Sequence, residues 1–203
     1  MSLKIFPLVV IVLILPACSP LGIATGAGAA IGIAAAQEGG ISGAADDFRI
    51  KAQISDLWFK YDLETFAKLS MTVDQGRVLI TGVVQDPEHR VEAVRRAWQV
   101  DGVTQVINEI RVASGEGLPG FIRDSWITTR LRTALTFDRE VQSVNYSVDT
   151  VQGIVYLMGV AQSQYELDHV IEVARTTPNV RQVISYVKQA GESFDTTANT
   201  PGQ

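Results

Sequence analysis

Arg123, Trp126, Arg130 and Phe137 lie on one side of a helix-like stretch, GFIRDSWITTRLRTALTF at residues 120–137. Together they carry the chemistry needed to grip an anionic, partly apolar surface. At roughly 100° per residue, Ile127, Leu131, Ala134 and Leu135 form a separate apolar stripe suited to a core. A helix that already has a core face gains nothing in folding from a second aromatic row among arginines. Aromatic rings suit the headgroup region of a bilayer, and each cation near anionic lipid contributes about 1 kcal/mol. The four residues are therefore candidates for phospholipid binding, with Trp126 and Phe137 inserted shallowly and Arg123 and Arg130 on lipid phosphates. The competing reading packs the same stripe against the first of two domains in the chain and buries Trp126 at the interface between them.

Other chemistry is sparse. The two histidines, His89 and His169, fall in helical stretches and read as exposed helix residues. No G-x-S-x-G, HExxH or phosphate-cradling loop occurs, and GAGAAIG at residues 26–32 has no strand before it. The expectation is a binding protein rather than an enzyme, with no catalytic residues, no cofactor and no metal site. The net charge of -5 argues against a nucleic-acid partner, because any basic surface must be local. Cys18 is the only cysteine, so no disulfide framework can form within one chain.

The start of the chain explains that cysteine. One lysine, an apolar run over residues 5–15 and then Pro16-Ala17-Cys18 have the layout of a secretory signal. The run is shorter than the roughly 20 apolar residues that span a bilayer. Leu15-Pro16-Ala17-Cys18 resembles a bacterial lipobox, which implies a signal peptide over residues 1–17 and an acyl chain, palmitate among the candidates, on Cys18. Ser19 stands where an inner-membrane retention signal would place Asp, so the expected destination is the periplasmic face of the outer membrane. Residues 18–45 are rich in Gly and Ala and read as a tether.

From residue 46 the chain repeats itself. Ile50, Ile54 and Trp58 match Ile127, Leu131 and Leu135 at a displacement of 77 (127 minus 50). Residues 92–112 match 169–189 at the same displacement, whereas 73–86 pairs with 148–163 if two residues are added in the second copy. Each copy reads as helix, two strands, helix, strand. The strands are marked by Leu69-Met71-Val73 and Val78-Ile80 in the first copy, and by Val144-Tyr146-Val148 and Ile154-Tyr156 in the second. Asp86-Pro87 and Ser163 to Glu166 cap the second helices, and residues 103–112 and 180–187 supply the third strands. Gly82 and Gly159 end the second strands and read as a backbone requirement. The fold class is α+β: two tandem α-β-β-α-β domains, each a small three-stranded sheet with two helices. About 65 residues give a marginal core, which favours packing of the two units together. The boundaries are a first domain over 46–113, a linker over 114–119, a second domain over 120–190 and a polar tail over 191–203.

The pattern V-x-x-G-x-V-x-L-x-G, near Val73 to Gly82 and Val148 to Gly159, and Gly102 to Asn108 as G-V-x-x-V-x-N, resemble the BON-domain family. With a lipobox and tether ahead of two such domains, the chain is similar to dual-BON outer-membrane lipoproteins of the DolP type, with Asp124-Ser125-Trp126-Ile127-Thr128-Thr129-Arg130 as the most specific match. The resemblance implies binding of anionic phospholipid through the first helix of the second domain, support of outer-membrane integrity, and envelope or division proteins as further partners. It carries the binding role onto Arg123, Trp126, Arg130 and Phe137. The first domain has Asp46, Arg49 and Gln53 at the positions of Arg123, Trp126 and Arg130, so the outward stripe reads as special to the second. The alternative is a periplasmic chaperone or protein-interaction scaffold of the OsmY type, which would use the same aromatics on a protein partner.

Overall fold

The computed structural model describes residues 39–114 and 117–191. The signal segment, Cys18, the tether up to residue 38 and the tail from residue 192 lie outside the described residues. Helix α1 (Gly40–Tyr61) and a single-turn α2 (Leu63–Phe66) precede strands β1 (Leu69–Asp74) and β2 (Arg77–Val84), after which α3 (Pro87–Ala97) leads to β3 (Gln105–Val112). The second unit runs α4 (Gly117–Phe137), a 3-10 turn (Ser143–Asn145), β4 (Tyr146–Val151), β5 (Ile154–Ala161), α5 (Gln164–Thr176) and β6 (Gln182–Gln189). Helix α1 begins inside the stretch read as tether, and α4 begins inside the stretch read as linker. In α4, Pro119 falls in the first turn, where a missing N–H breaks no helical hydrogen bond.

The hairpins correct the alignment of the two copies. Strands and second helices start at 69 and 146, 77 and 154, 87 and 164, and 105 and 182, each pair 77 apart. No residues are added in the second copy. Gln75-Gly76 and Gln152-Gly153 form identical two-residue turns with φ of 52° and 74° at both, the left-handed pair that a tight hairpin needs. The Val-Asp dipeptides at 73–74 and 148–149 match by residue type only, because the position equivalent to Val73 in the second copy is Thr150. Val144 falls in the 3-10 turn, not in a strand. In β5, Val155 and Leu157 face the second unit's own core, while Ile154 and Tyr156 face the other side.

Each sheet has the order β1-β2-β3 or β4-β5-β6, its central strand antiparallel to one neighbour and parallel to the other. Helices cover one face of each sheet. Ile50, Ile54 and Trp58 pack over Val78 and Ile80 in the first unit, and Ile127, Leu131 and Leu135 over Val155 and Leu157 in the second. The opposite faces meet. Leu79 and Ile107 of the first sheet pack with Tyr156 and Met158 of the second, flanked by Val151, Ile154, Ile184 and Tyr186. The layers are therefore helices, sheet, sheet, helices. Both faces of β2 and β5 are covered, so their sequences run apolar without alternation.

Polar bonds cross the junction. The buried Arg77 guanidinium donates to the Tyr186 carbonyl at 2.9 Å and, through Nε, to Gln105 Oε1 at 3.1 Å. Thr81 hydrogen-bonds to Asp149, and the Tyr186 hydroxyl to Glu109. Gly82 and Gly159 do not end their strands, as the sequence reading had them, but lie two residues before the ends of β2 and β5; their φ is 132° and 136°, and a Cβ there would stand 2.8 Å from the Lys68 carbonyl oxygen and 1.8 Å from that of Asn145. The backbone requirement expected of both glycines is thus a close approach by the chain entering the preceding strand.

Helix caps differ in one detail from expectation. Asp86 accepts the Glu88 N–H at 2.8 Å and Ser163 Oγ accepts the Glu166 N–H at 3.1 Å. The Glu166 carboxylate does not close a reciprocal box. It is buried and accepts the N–H groups of Gln142 and Gln162, both at 2.7 Å, tying the loop after α4 to the start of α5.

Candidate functional site

Helix α4 is fixed along its inner side. Ile127, Leu131 and Leu135 are buried, Thr128 Oγ1 donates to Thr150 Oγ1 at 2.8 Å, and the Arg132 guanidinium donates to the Val148 carbonyl at 2.6 Å. Asp124 adds a clamp: its carboxylate accepts the N–H groups of Gln152 and Gly153 at 2.6 and 2.9 Å. Asp47 of α1 holds Gln75 and Gly76 in the same way, at 2.8 and 2.9 Å. The clamp was not legible in the sequence as a role, although its two aspartates are 77 apart. It sets which side of each helix faces out.

On the outer side of α4, Trp126 is 44% exposed and Phe137 81% exposed, with Ile122 at 58% beside them. The sequence reading missed Ile122, whose i, i+4 spacing to Trp126 puts it on the same line. Trp126 is therefore not buried against the first domain. Ala134, assigned to the core stripe, is exposed at the edge between the two faces. The Arg130 guanidinium carbon lies 5.4 Å from the Trp126 ring centroid, within the range for cation–π attraction. Arg123 is placed differently: its guanidinium pairs with Asp124 Oδ1 at 3.1 Å and is drawn toward the hairpin clamp. The structure thus brings Trp126, Phe137 and Arg130 onto one outward line and sets Arg123 at its margin. Phe121, 69% exposed, borders a groove between the units that Lys68 and Leu69 also line.

At the matching line of α1, Arg49 replaces Trp126 and bonds to Gln53 and to the Asp101 carbonyl, both at 3.3 Å. Exposed aromatics are nevertheless not confined to the second domain. Ile41, Phe48 and Phe59 form an outward row on α1, turned by roughly 100° from the α4 row because they align with 118, 125 and 136. Comparison of equivalent positions alone missed this row. In the WFKYD stretch, Trp58 is buried and donates to the Ala93 carbonyl at 3.2 Å, and the Arg96 guanidinium carbon lies 4.0 Å from the Tyr61 ring centroid.

The histidines are part-buried rather than exposed, and each faces the acid that follows the first helix of its domain. His89 Nε2 is 3.7 Å from Asp62 and His169 Nε2 is 2.8 Å from Asp138. The Glu140 N–H and the His169 ring hold the Asp138 carboxyl below the usual carboxylate range. Among the described residues no helix is long and apolar enough to cross a membrane. Contact with lipid through α4 would be interfacial.

Comparison with known proteins bears on both domains. Residues 46–114 and 123–191 each match the BON domain. Over 144 residues the chain is 42% identical to the "uncharacterized protein in gshII 5′region" of Anaplasma centrale, covering 70% of this chain and 94% of that protein. It is 28% identical over 145 residues to osmotically-inducible protein Y of Escherichia coli K12, covering 70% and 72% of the two chains. To the outer membrane lipoprotein DolP of Haemophilus influenzae it is 32% identical over 114 residues, covering 56% of this chain and 58% of that one.

Proposed function

The chain belongs to the BON-domain family and carries its domain twice, and from that premise we propose that it is a non-enzymatic envelope lipoprotein that binds anionic phospholipid through α4. Acylated Cys18 anchors it to the periplasmic face of the outer membrane, where it helps maintain membrane integrity and acts at division sites. The similarity to an outer membrane lipoprotein supports the location. The observation that carries the binding mode is the exposed line of Ile122, Trp126 and Phe137 with Arg130 against the indole. An apolar row outside the core costs solubility, and pairing it with cations suits a surface that is apolar below and anionic above. One weak patch suffices, because stable attachment combines an acyl chain with a second signal.

The test is co-sedimentation of residues 19–203, which keep α1 whole, with phosphatidylglycerol vesicles and with zwitterionic vesicles. Sedimentation with the anionic vesicles alone, abolished by Trp126→Ala and weakened by added salt, is the expected result. Failure to bind either vesicle would overturn the lipid reading.

A second reading is a protein-interaction scaffold or chaperone. The Phe48 and Phe59 row on α1 favours it, since that row is separate from the α4 line. A partner captured from envelope extracts and lost in Phe48→Ala, with vesicle binding intact, would assign the two rows to different ligands.

A further inference from the structure

The acids that follow α4 and the histidine of α5 converge on one point. One ligand atom from each of Asp138, Glu140 and His169 lies within 4.8 Å of the other two, with His169 Nε2 at 2.8 Å from Asp138 Oδ2 and 3.9 Å from Glu140 Oε2. Ligand atoms about 2.0–2.2 Å from a tetrahedral zinc ion stand about 3.3 Å apart, so the two distances bracket the spacing required. The three groups are also oriented by neighbours, as metal ligands are. Asp138 Oδ1 accepts the Glu140 N–H at 2.9 Å, the Tyr165 hydroxyl donates to Glu140 Oε2 at 3.1 Å, and the Tyr165 ring stacks on His169 with centroids 6.4 Å apart.

We propose that Asp138, Glu140 and His169 form a three-ligand site for a divalent metal of the zinc type, with solvent completing the coordination. An imidazole among the ligands selects against calcium and magnesium, which take oxygen donors. The side chains are 22%, 54% and 31% exposed, which leaves an entry path and open coordination positions. Asp138 and Glu140 directly follow the C-terminal end of α4, where the helix dipole favours a cation. Arg139, between the two acids, is exposed to solvent. The first domain has no counterpart: Tyr61, Leu63 and Glu92 occupy the three positions, and His89 faces the single acid Asp62. The metal assignment stands without the lipid reading. Its consequence rests on that reading: a bound dication offsets two carboxylates next to Phe137, at the end of the helix we place on the membrane.

Zinc uptake by the purified full chain, measured by titration calorimetry without vesicles, tests the site alone. One saturable equivalent is expected, weakened at least tenfold in His169→Gln and in Asp138→Asn and unchanged in His89→Gln. Circular dichroism checks that each variant is folded. In the wild type, the His169 ring resonances should shift with zinc while those of His89 stay in place. Absence of saturable uptake, or uptake that survives His169→Gln at full affinity, would overturn the proposal.

Discussion

The four candidate residues do not contribute equally. Arg130 lies over the Trp126 ring and is free of any carboxylate bond among the described contacts, whereas Arg123 is paired with Asp124. Withdrawing Arg130 from lipid removes about 1 kcal/mol, or about fivefold in affinity for anionic vesicles. Arg130→Gln is therefore expected to weaken vesicle binding about fivefold and Arg123→Gln by less, in the same co-sedimentation assay. Trp126→Ala should abolish binding while changing stability by less than about 0.5 kcal/mol, because the residue lies outside the packed face. The histidines show how a spatial match can hide behind a sequence mismatch. His89 and His169 stand at non-equivalent positions, and so do Asp62 and Asp138, yet each pair joins the second helix to the end of the first.

At the scale of elements, the hairpin clamp decides how each first helix is rotated. Two backbone N–H groups in a tight turn have no ladder partners, and Asp47 or Asp124 satisfies both. Removing such a carboxylate strands the donors at a cost of about 1–3 kcal/mol. Asp124→Ala is expected to lower stability by that amount in urea unfolding, and also to weaken vesicle binding by freeing α4 to turn. Asp47→Ala should have the first effect without the second. The start of α1 at Gly40 has a similar consequence. A chain cut at residue 46 loses the first turns of α1 and should melt below one cut at residue 39.

The whole molecule is held together by the sheet-to-sheet junction, and its tyrosines make that junction sensitive to alkali. Burial first, and the Glu109 carboxylate second, push the Tyr156 hydroxyl up to about 12; Tyr186 is raised by the same burial and the same acid. The folded state thus favours the neutral phenol. Its contribution is fully present below the ordinary value of 10 and is lost as pH rises from about 10 toward 12. In a phenolate absorbance titration, Tyr156 and Tyr186 should ionise late, and unfolding at high pH should coincide with their ionisation. Leu79→Ala, which opens the same junction, should cost about 2–5 kcal/mol. It should also move that alkaline transition to lower pH.

Much of this architecture is legible in the sequence because local rules write it there. The duplication, the core triads at Ile50, Ile54 and Trp58 and at Ile127, Leu131 and Leu135, the caps at Asp86 and Ser163 and the backbone role of Gly82 and Gly159 all follow from spacing and residue type. So does the oddity of Trp126, which a 3.6-residue period alone puts off the core face. The register of the second hairpin was misread, since a Val-Asp match by type outweighed the two-residue turn that backbone geometry requires. The faces of β5 were not assignable from the sequence for a different reason: a strand covered on both sides has no alternation to read. Only the tertiary structure could decide that the sheets, not the helices, join the two domains. That leaves Trp126 in solvent, bends Arg123 toward Asp124 and brings His169 to Asp138 and Glu140. Each of these depends on contacts between residues far apart in the chain, which no local period encodes.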